Sequence, residues 1–235
     1  MILALDKNYQ DSLTLFFINS NTYVQSCSTL IDINMSKFTS LLSDLIKSSE
    51  FNATLENINI NYFNLKQELF IRNSILEMFN KKYCDANYKA FAEHPRLNGS
   101  RVDLSIVDKA DSKKPFLVEL KYQFPKDVNG QYKKIIETDF NKKNIGKQTD
   151  LFILIVALWE ISEKDQFDKN LEIDSNLSRY QFKKRDKNGS DWEQILLGNF
   201  KDINEGVLLP KITHKIYKPY PVDYNIYMLE RIEKN

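Results

Sequence analysis

Cysteine and histidine are almost absent from this chain, with two of each in 235 residues. Cys27 and Cys84 form no Cys-x-x-Cys pair, and His94 and His214 lie far apart. Zinc cages and disulfide frameworks are therefore disfavoured, and a reducing, cytoplasmic setting is the expectation. An excess of one charge is also missing: 33 lysines and arginines face 32 aspartates and glutamates, for a net charge of +1. Global charge thus selects no partner, and nucleic acid would have to be held by a local basic surface. The longest apolar run, Leu151 to Trp159, is too short to span a bilayer. The first apolar stretch is preceded by Asp6 without a cationic lead, a poor signal peptide. There is no internal repeat, P-loop, Rossmann glycine pattern, nucleophile elbow, helix-turn-helix or zinc finger to name a function directly. What is present is 42% hydrophobic and 12% aromatic residues, enough for a sizeable core.

Periodicity divides the chain into segments. Ser36 is placed to cap a helix over Lys37 to Lys47, with Phe38, Leu41, Leu42, Leu45 and Ile46 on one face. Asn52 to Asn61 reads as a connector with extended character. From Tyr62 through Lys82 the helical period returns, with Phe63, Leu65, Leu69, Phe70, Ile75, Leu76 and Phe79 on the apolar face. Glu68 and Arg72 lie one turn apart there and can pair. Three strands follow, at Tyr88 to Glu93, Arg101 to Val107 and Phe116 to Tyr122. Asn98-Gly99 suits a hairpin between the first two. A helix is expected over Gln131 to Lys143, then a strand from Asp150 to Ile161 apolar enough to be buried on both faces. Only this last helix–strand unit has the alternation of a parallel crossover. Beyond Ser162 the composition turns charged, then offers a helix from Asp191 to Phe200 and a closing strand from Tyr224 to Ile232.

The chemistry concentrates on two adjacent strands. In Phe116-Leu117-Val118-Glu119-Leu120-Lys121-Tyr122, alternate side chains share a face, so Glu119 and Lys121 point the same way. Asp103 lies one hairpin earlier. A carboxylate and an ammonium on an apolar strand are costly to desolvate unless they serve each other or a ligand. Two carboxylates about 5 Å apart repel by roughly 3 kcal/mol at an effective dielectric near 20, and a divalent cation removes that penalty. Oxygen ligands with retained waters suit Mg²⁺.

Asp103, the Glu119-Leu120-Lys121 triplet and the preceding helical Glu68, in the order α-β-β-β-α-β, resemble the PD-(D/E)xK nuclease superfamily. It contains many type II restriction enzymes, DNA repair exonucleases and RNA-cleaving relatives. The resemblance covers about residues 62–161. It implies an α/β fold with a restriction-endonuclease-like core, a mixed central sheet flanked by helices. Residues 1–61 would form a mainly helical addition, and 162–235 an extension packing on the core. Val102 stands where the family often has proline before the aspartate. By resemblance, Asp103 and Glu119 would bind Mg²⁺, with Mn²⁺ as substitute, and the Leu120 carbonyl would be a further ligand. Lys121 would position or activate water, and Glu68 would sit near the metal. The implied activity is hydrolysis of nucleic-acid phosphodiester bonds, DNA ahead of RNA, in a restriction, defence or toxin role. Enzymes of this kind often form homodimers, although nothing in this sequence marks an interface.

Plainer readings stand beside these. Glu119 and Lys121 could be a surface ion pair on an edge strand, Asp103 a turn residue, and Glu68 a solvated partner of Arg72. Gln131, Lys134 and Asp139 are candidates for a further polar contribution from the helix after the third strand. For Asp139 and Lys142 a solvated helical face is the preferred reading, and His94 reads as structural. Lys133, Lys134, Lys142, Lys143 and Lys147 make the 131–143 helix and the residues just after it basic. Arg179, Lys183, Lys184 and Arg185, interleaved with Tyr180 and Phe182, form a second basic–aromatic cluster suited to phosphates and bases. The rival function, from a different class, is a catalytically inactive nuclease-fold module that binds nucleic acid or a protein.

Overall fold

The computed structural model describes residues 35–83, 86–94, 101–125, 132–144, 146–174 and 191–232. The chain divides into two compact units, 1–35 and 36–235, and the account below concerns the second. Its elements are α1 (Lys37–Ile46), α2 (Ser49–Tyr62), α3 (Glu68–Lys82), β1 (Tyr88–Ala92), β2 (Leu104–Asp108), β3 (Phe116–Gln123), α4 (Tyr132–Phe140), β4 (Lys143–Asn144), β5 (Lys147–Gln148), β6 (Leu151–Trp159), α5 (Ile161–Asn170), α6 (Trp192–Lys201), β7 (Gly206–Leu208), β8 (Ile212–Ile216) and β9 (Val222–Arg231). The class is α/β, with a mixed open sheet of mostly antiparallel strands flanked by helices. Strand order is β1-β2-β3-β6-β9-β7, with β8 also on β9, and β4–β5 form a separate hairpin. Among the described residues, no helix is long and apolar enough to cross a membrane.

Local signals explain most boundaries. Ser36 accepts a hydrogen bond from the Thr39 N–H and starts α1, whose Leu42, Leu45 and Ile46 are buried. Asp191 caps α6 in the same way through the Glu193 N–H. β6, apolar throughout, runs parallel to β3 and antiparallel to β9, and is buried on both faces. The crossover from β3 through α4 to β6 is the parallel connection that the helix–strand alternation predicts.

Residues 52–61 are helical rather than extended. Ser48 caps α2 through the Phe51 N–H, and Phe51, Leu55, Ile58 and Asn59 are buried at helical spacing. Ile58, Ile60 and four asparagines are poor helix formers and hide that period, but packing overrides propensity here. The helix expected from Tyr62 through Lys82 begins only at Glu68, because α2 ends at Tyr62 and residues 63–67 turn the chain between α2 and α3. The elbow between them is held by buried amides: Tyr224 Oη donates to Gln67 Oε1 (2.6 Å), and Asn59 Nδ2 donates to the Lys218 carbonyl (2.8 Å). The buried face of α3 is Ile71, Ile75, Met78 and Phe79, while Leu65 and Leu69 are exposed. The expected Glu68–Arg72 pair does not form. Glu68 pairs with Lys66, and Arg72 turns to Glu93 and Asp103.

α4 ends at Phe140, three residues short of expectation. Its last carbonyls are taken by distant partners: Thr149 Oγ1 donates to the Asp139 carbonyl, and the Arg231 guanidinium donates to that of Phe140. Arg231 also lies 4.0 Å over the Phe140 ring and donates to the Thr149 carbonyl. A cation at a helix C-terminus is favourable to the helix dipole.

Between α4, α6 and the sheet lies a core of Tyr132, Ile136, Phe140, Phe152, Leu154, Leu196, Phe200, Tyr227 and Leu229. Gly206 on β7 closes it. A Cβ there would meet the Leu229 side chain at 2.8 Å and the Phe140 ring at 3.1 Å. Gly206→Ala should destabilise the protein by about 1–3 kcal/mol through overpacking. Denaturant unfolding checks this, and an unchanged midpoint would show that Leu229 can repack.

Candidate active site

β2 pairs with β3 only as far as Leu104 opposite Val118. From Glu119 onward the β2-side edge of β3 is open, while its other edge continues along β6. Alternate residues of a strand direct their backbone groups to opposite sides, so the N–H groups of Leu120 and Tyr122 face this open edge. Side-chain carboxylates take the place of the missing strand. Asp103 Oδ2 accepts from the Leu120 N–H and Glu68 Oε2 accepts from the Tyr122 N–H, each at 2.9 Å. Asp103 sits in the bend just before β2 rather than within the strand, with its carbonyl bonded to the Glu93 N–H.

Glu119 and Lys121 stand in register with Phe152 and Leu154, so they point to the face covered by α4. Glu119 is only 1% exposed. Its carboxyl lies within hydrogen-bonding reach of Asp103, and Oε1 receives the Lys142 ammonium. Lys121 Nζ lies 3.6 Å from Asp139 Oδ2. The solvated-face reading of Asp139 and Lys142 is thereby corrected. Asp139 projects from α4 into the site, and Lys142 reaches back to it because α4 stops at Phe140. Spacing on the helix gave a hint of Asp139. Lys142 had no local signal, because the helix end that frees it is set by Arg231, 91 positions away.

Five ionisable groups thus cluster at the open edge: Asp103, Glu119, Lys142, Asp139 and Lys121. Burial pushes the Glu119 carboxyl up to about 8, with Asp103 adding to the rise and Lys142 opposing it. Burial raises Asp139 as well, against the pull of Lys121 and Lys142. Burial would lower Lys121, but Asp139, Glu68, Asp103 and Glu119 outweigh it and hold the ammonium above the ordinary lysine value. Lys121 is therefore charged at neutral pH and suited to orienting a water or an anion rather than taking a proton.

Asp103 and Glu119 present the hard oxygen donors a divalent cation takes. Leu120 directs its carbonyl to the same open edge as its N–H. Among the described residues, no group of three or more histidine, cysteine, aspartate or glutamate side chains is placed to hold a metal ion. Any cation here would complete its shell with backbone, water or substrate oxygens, as Mg²⁺ commonly does.

Among the described residues, the other candidates make no hydrogen bond or ion pair with Asp103, Glu119 or Lys121. Lys133 pairs with Asp202 at 2.8 Å on the surface, and Lys134 is exposed on α4. His94 Nδ1 is 3.1 Å from Ser105 Oγ, and its ring packs on Phe91. Gln131, Arg179, Lys183, Lys184 and Arg185, and the Asn98-Gly99 turn, fall outside the described residues. Comparison with protein-family models, curated proteins and solved structures finds no match.

Glu119 binds its proton more tightly in the folded protein than in an unfolded chain, where a glutamate titrates near about 4.3. Its contribution to stability is fully present below that value and is lost as pH rises through about 8. Buried His214 acts in the opposite sense: its lowered pKa costs stability as pH falls through the ordinary histidine range. The difference between wild type and Glu119→Gln isolates the first effect. Denaturant midpoints should show the variant gaining on wild type from pH 5 to pH 8, and parallel curves would contradict the raised pKa.

Proposed function

We propose that this protein is a metal-dependent phosphodiesterase of the PD-(D/E)xK type, cleaving nucleic acid, with DNA placed ahead of RNA by the resemblance. One observation carries the reading: Asp103 is bonded to the Leu120 N–H at the open edge of β3, beside Glu119, with the Lys121 ammonium on the same face as Glu119. The order α3-β1-β2-β3-α4-β6, with β3 and β6 parallel, supports a restriction-endonuclease-like core around that edge.

The donor set fits Mg²⁺ or Mn²⁺, held by Asp103 and Glu119 with the Leu120 carbonyl. Bound there, the cation would supply Lewis acidity at the phosphate and lower the pKa of a water. The chain's own groups account for the remaining requirements. Lys121, kept protonated by Asp139, orients the attacking water and steadies charge building on the phosphate oxygens. Glu68 fixes the β3 edge through the Tyr122 N–H and stands beside the site. Lys134, exposed on α4, is a further candidate for phosphate contact.

The test is cleavage of supercoiled plasmid, linear duplex, single-stranded DNA and RNA with Mg²⁺ or Mn²⁺. Lys121→Ala should lower the rate by about a hundredfold or more, the scale for losing one transition-state charge contact. Mg²⁺ should also raise the melting temperature of wild type by mass action, and Asp103→Asn should abolish that rise. If no substrate is cut and neither protein responds to metal, the edge is a vestige. The fold then serves as a binding module whose association with nucleic acid or protein is indifferent to metal.

A further inference from the structure

Lys142 is a second cation built into the cluster, and its setting differs from that of Lys121. Lys121 projects from the middle of β3 and has Asp139 as partner. Lys142 follows the end of α4, outside any helix or strand, with its side chain 32% exposed. Its backbone is pinned, since its carbonyl accepts from the Thr149 N–H at 3.2 Å. Glu119, which it contacts, is buried on β3 and has little freedom to move. The ammonium is therefore the mobile half of the pair, on a flexible four-carbon stem.

That ammonium rests on one of the two carboxylates that a divalent cation would use. We propose that Lys142 is an internal competitor for the cation site, holding Glu119 until a metal ion displaces it and setting how tightly the site binds metal. The proposal rests on the metal-dependent reading of Asp103 and Glu119. The displaced ammonium has two destinations: Asp139, one turn back on the same segment, or a phosphate oxygen of the substrate. In the second case nucleic acid and metal each favour the other's binding, because the phosphate removes the competitor from Glu119. Lys142 is a positioning residue in this scheme, acting through Glu119.

The experiment is calorimetric titration of the intact protein with Ca²⁺ at pH 9.5, because Lys142 opposes the proton on Glu119 and its loss strengthens proton competition at lower pH. No cleavage is needed for this readout. Lys142→Met should bind Ca²⁺ about tenfold more tightly than wild type, within the usual range for coupled sites. Lys142→Arg keeps the charge and should leave the affinity near that of wild type. Lys133→Met, a lysine paired with Asp202 away from the site, should change nothing. Melting curves recorded alongside establish that each variant is folded. If Lys142→Met does not fold, the Lys142→Gln variant takes its place with the same expected gain.

Equal or weaker Ca²⁺ binding by a folded, uncharged variant would overturn the inference while leaving the metal site standing. The same result for the arginine and uncharged variants would mark Lys142 as a structural support. Absence of Ca²⁺ binding in every protein, wild type included, would sink the metal reading and this inference with it. Loss of all binding on adding Glu119→Gln to Lys142→Met would tie the gained affinity to the carboxylate that Lys142 covers.

Discussion

An antiparallel strand that leaves its neighbour early exposes a row of backbone N–H groups, and a protein must satisfy them or lose stability. β2 parts from β3 after Val118, and Asp103 and Glu68 supply the missing acceptors at Leu120 and Tyr122. The two carboxylates are thereby fixed by the main chain of β3, within reach of its Glu119 and Lys121. One constraint of sheet hydrogen bonding accounts for both the opening and the acids that line it. An unbroken β2–β3 ladder would have covered the edge.

Charge at this edge is balanced between neighbours. Asp103 and Glu119 oppose each other, and Glu119 keeps its proton up to about pH 8 because burial penalises a second negative charge. Lys142 lies beside Glu119 and Lys121 beside Asp139, so each ammonium has a carboxyl group beside it. Such a cluster is stable as it stands, yet every member is close enough to a neighbour to exchange partners. A surface of simple ion pairs lacks that property, because its members are separated by solvent and screened.

The support of this cluster comes from far along the chain. Arg231, at the end of β9, ties the Phe140 and Thr149 carbonyls and stops α4 where it stops. The core under Gly206, Leu229 and Phe140 holds the same corner by packing. A closing strand at the C-terminus is therefore part of what shapes the site.

Which elements exist was largely legible in the sequence, and where the chemistry collects was legible on β3. Ser36 announced its helix by capping, β6 announced its burial by unbroken apolar β-formers, and Glu119-x-Lys121 announced a shared face by strand alternation. These are local rules with periods of two or 3.6 residues, so neighbours along the chain suffice. α2 escaped because its asparagines and β-branched residues argue against helix while its packing face argues for it. The meeting of Asp103 with Leu120, the turn of Arg72 away from Glu68, and the reach of Lys142 to Glu119 were decided by tertiary structure alone. Each depends on where one strand ends or on a residue distant in sequence, and hydrogen-bond satisfaction across a folded sheet has no local period to read.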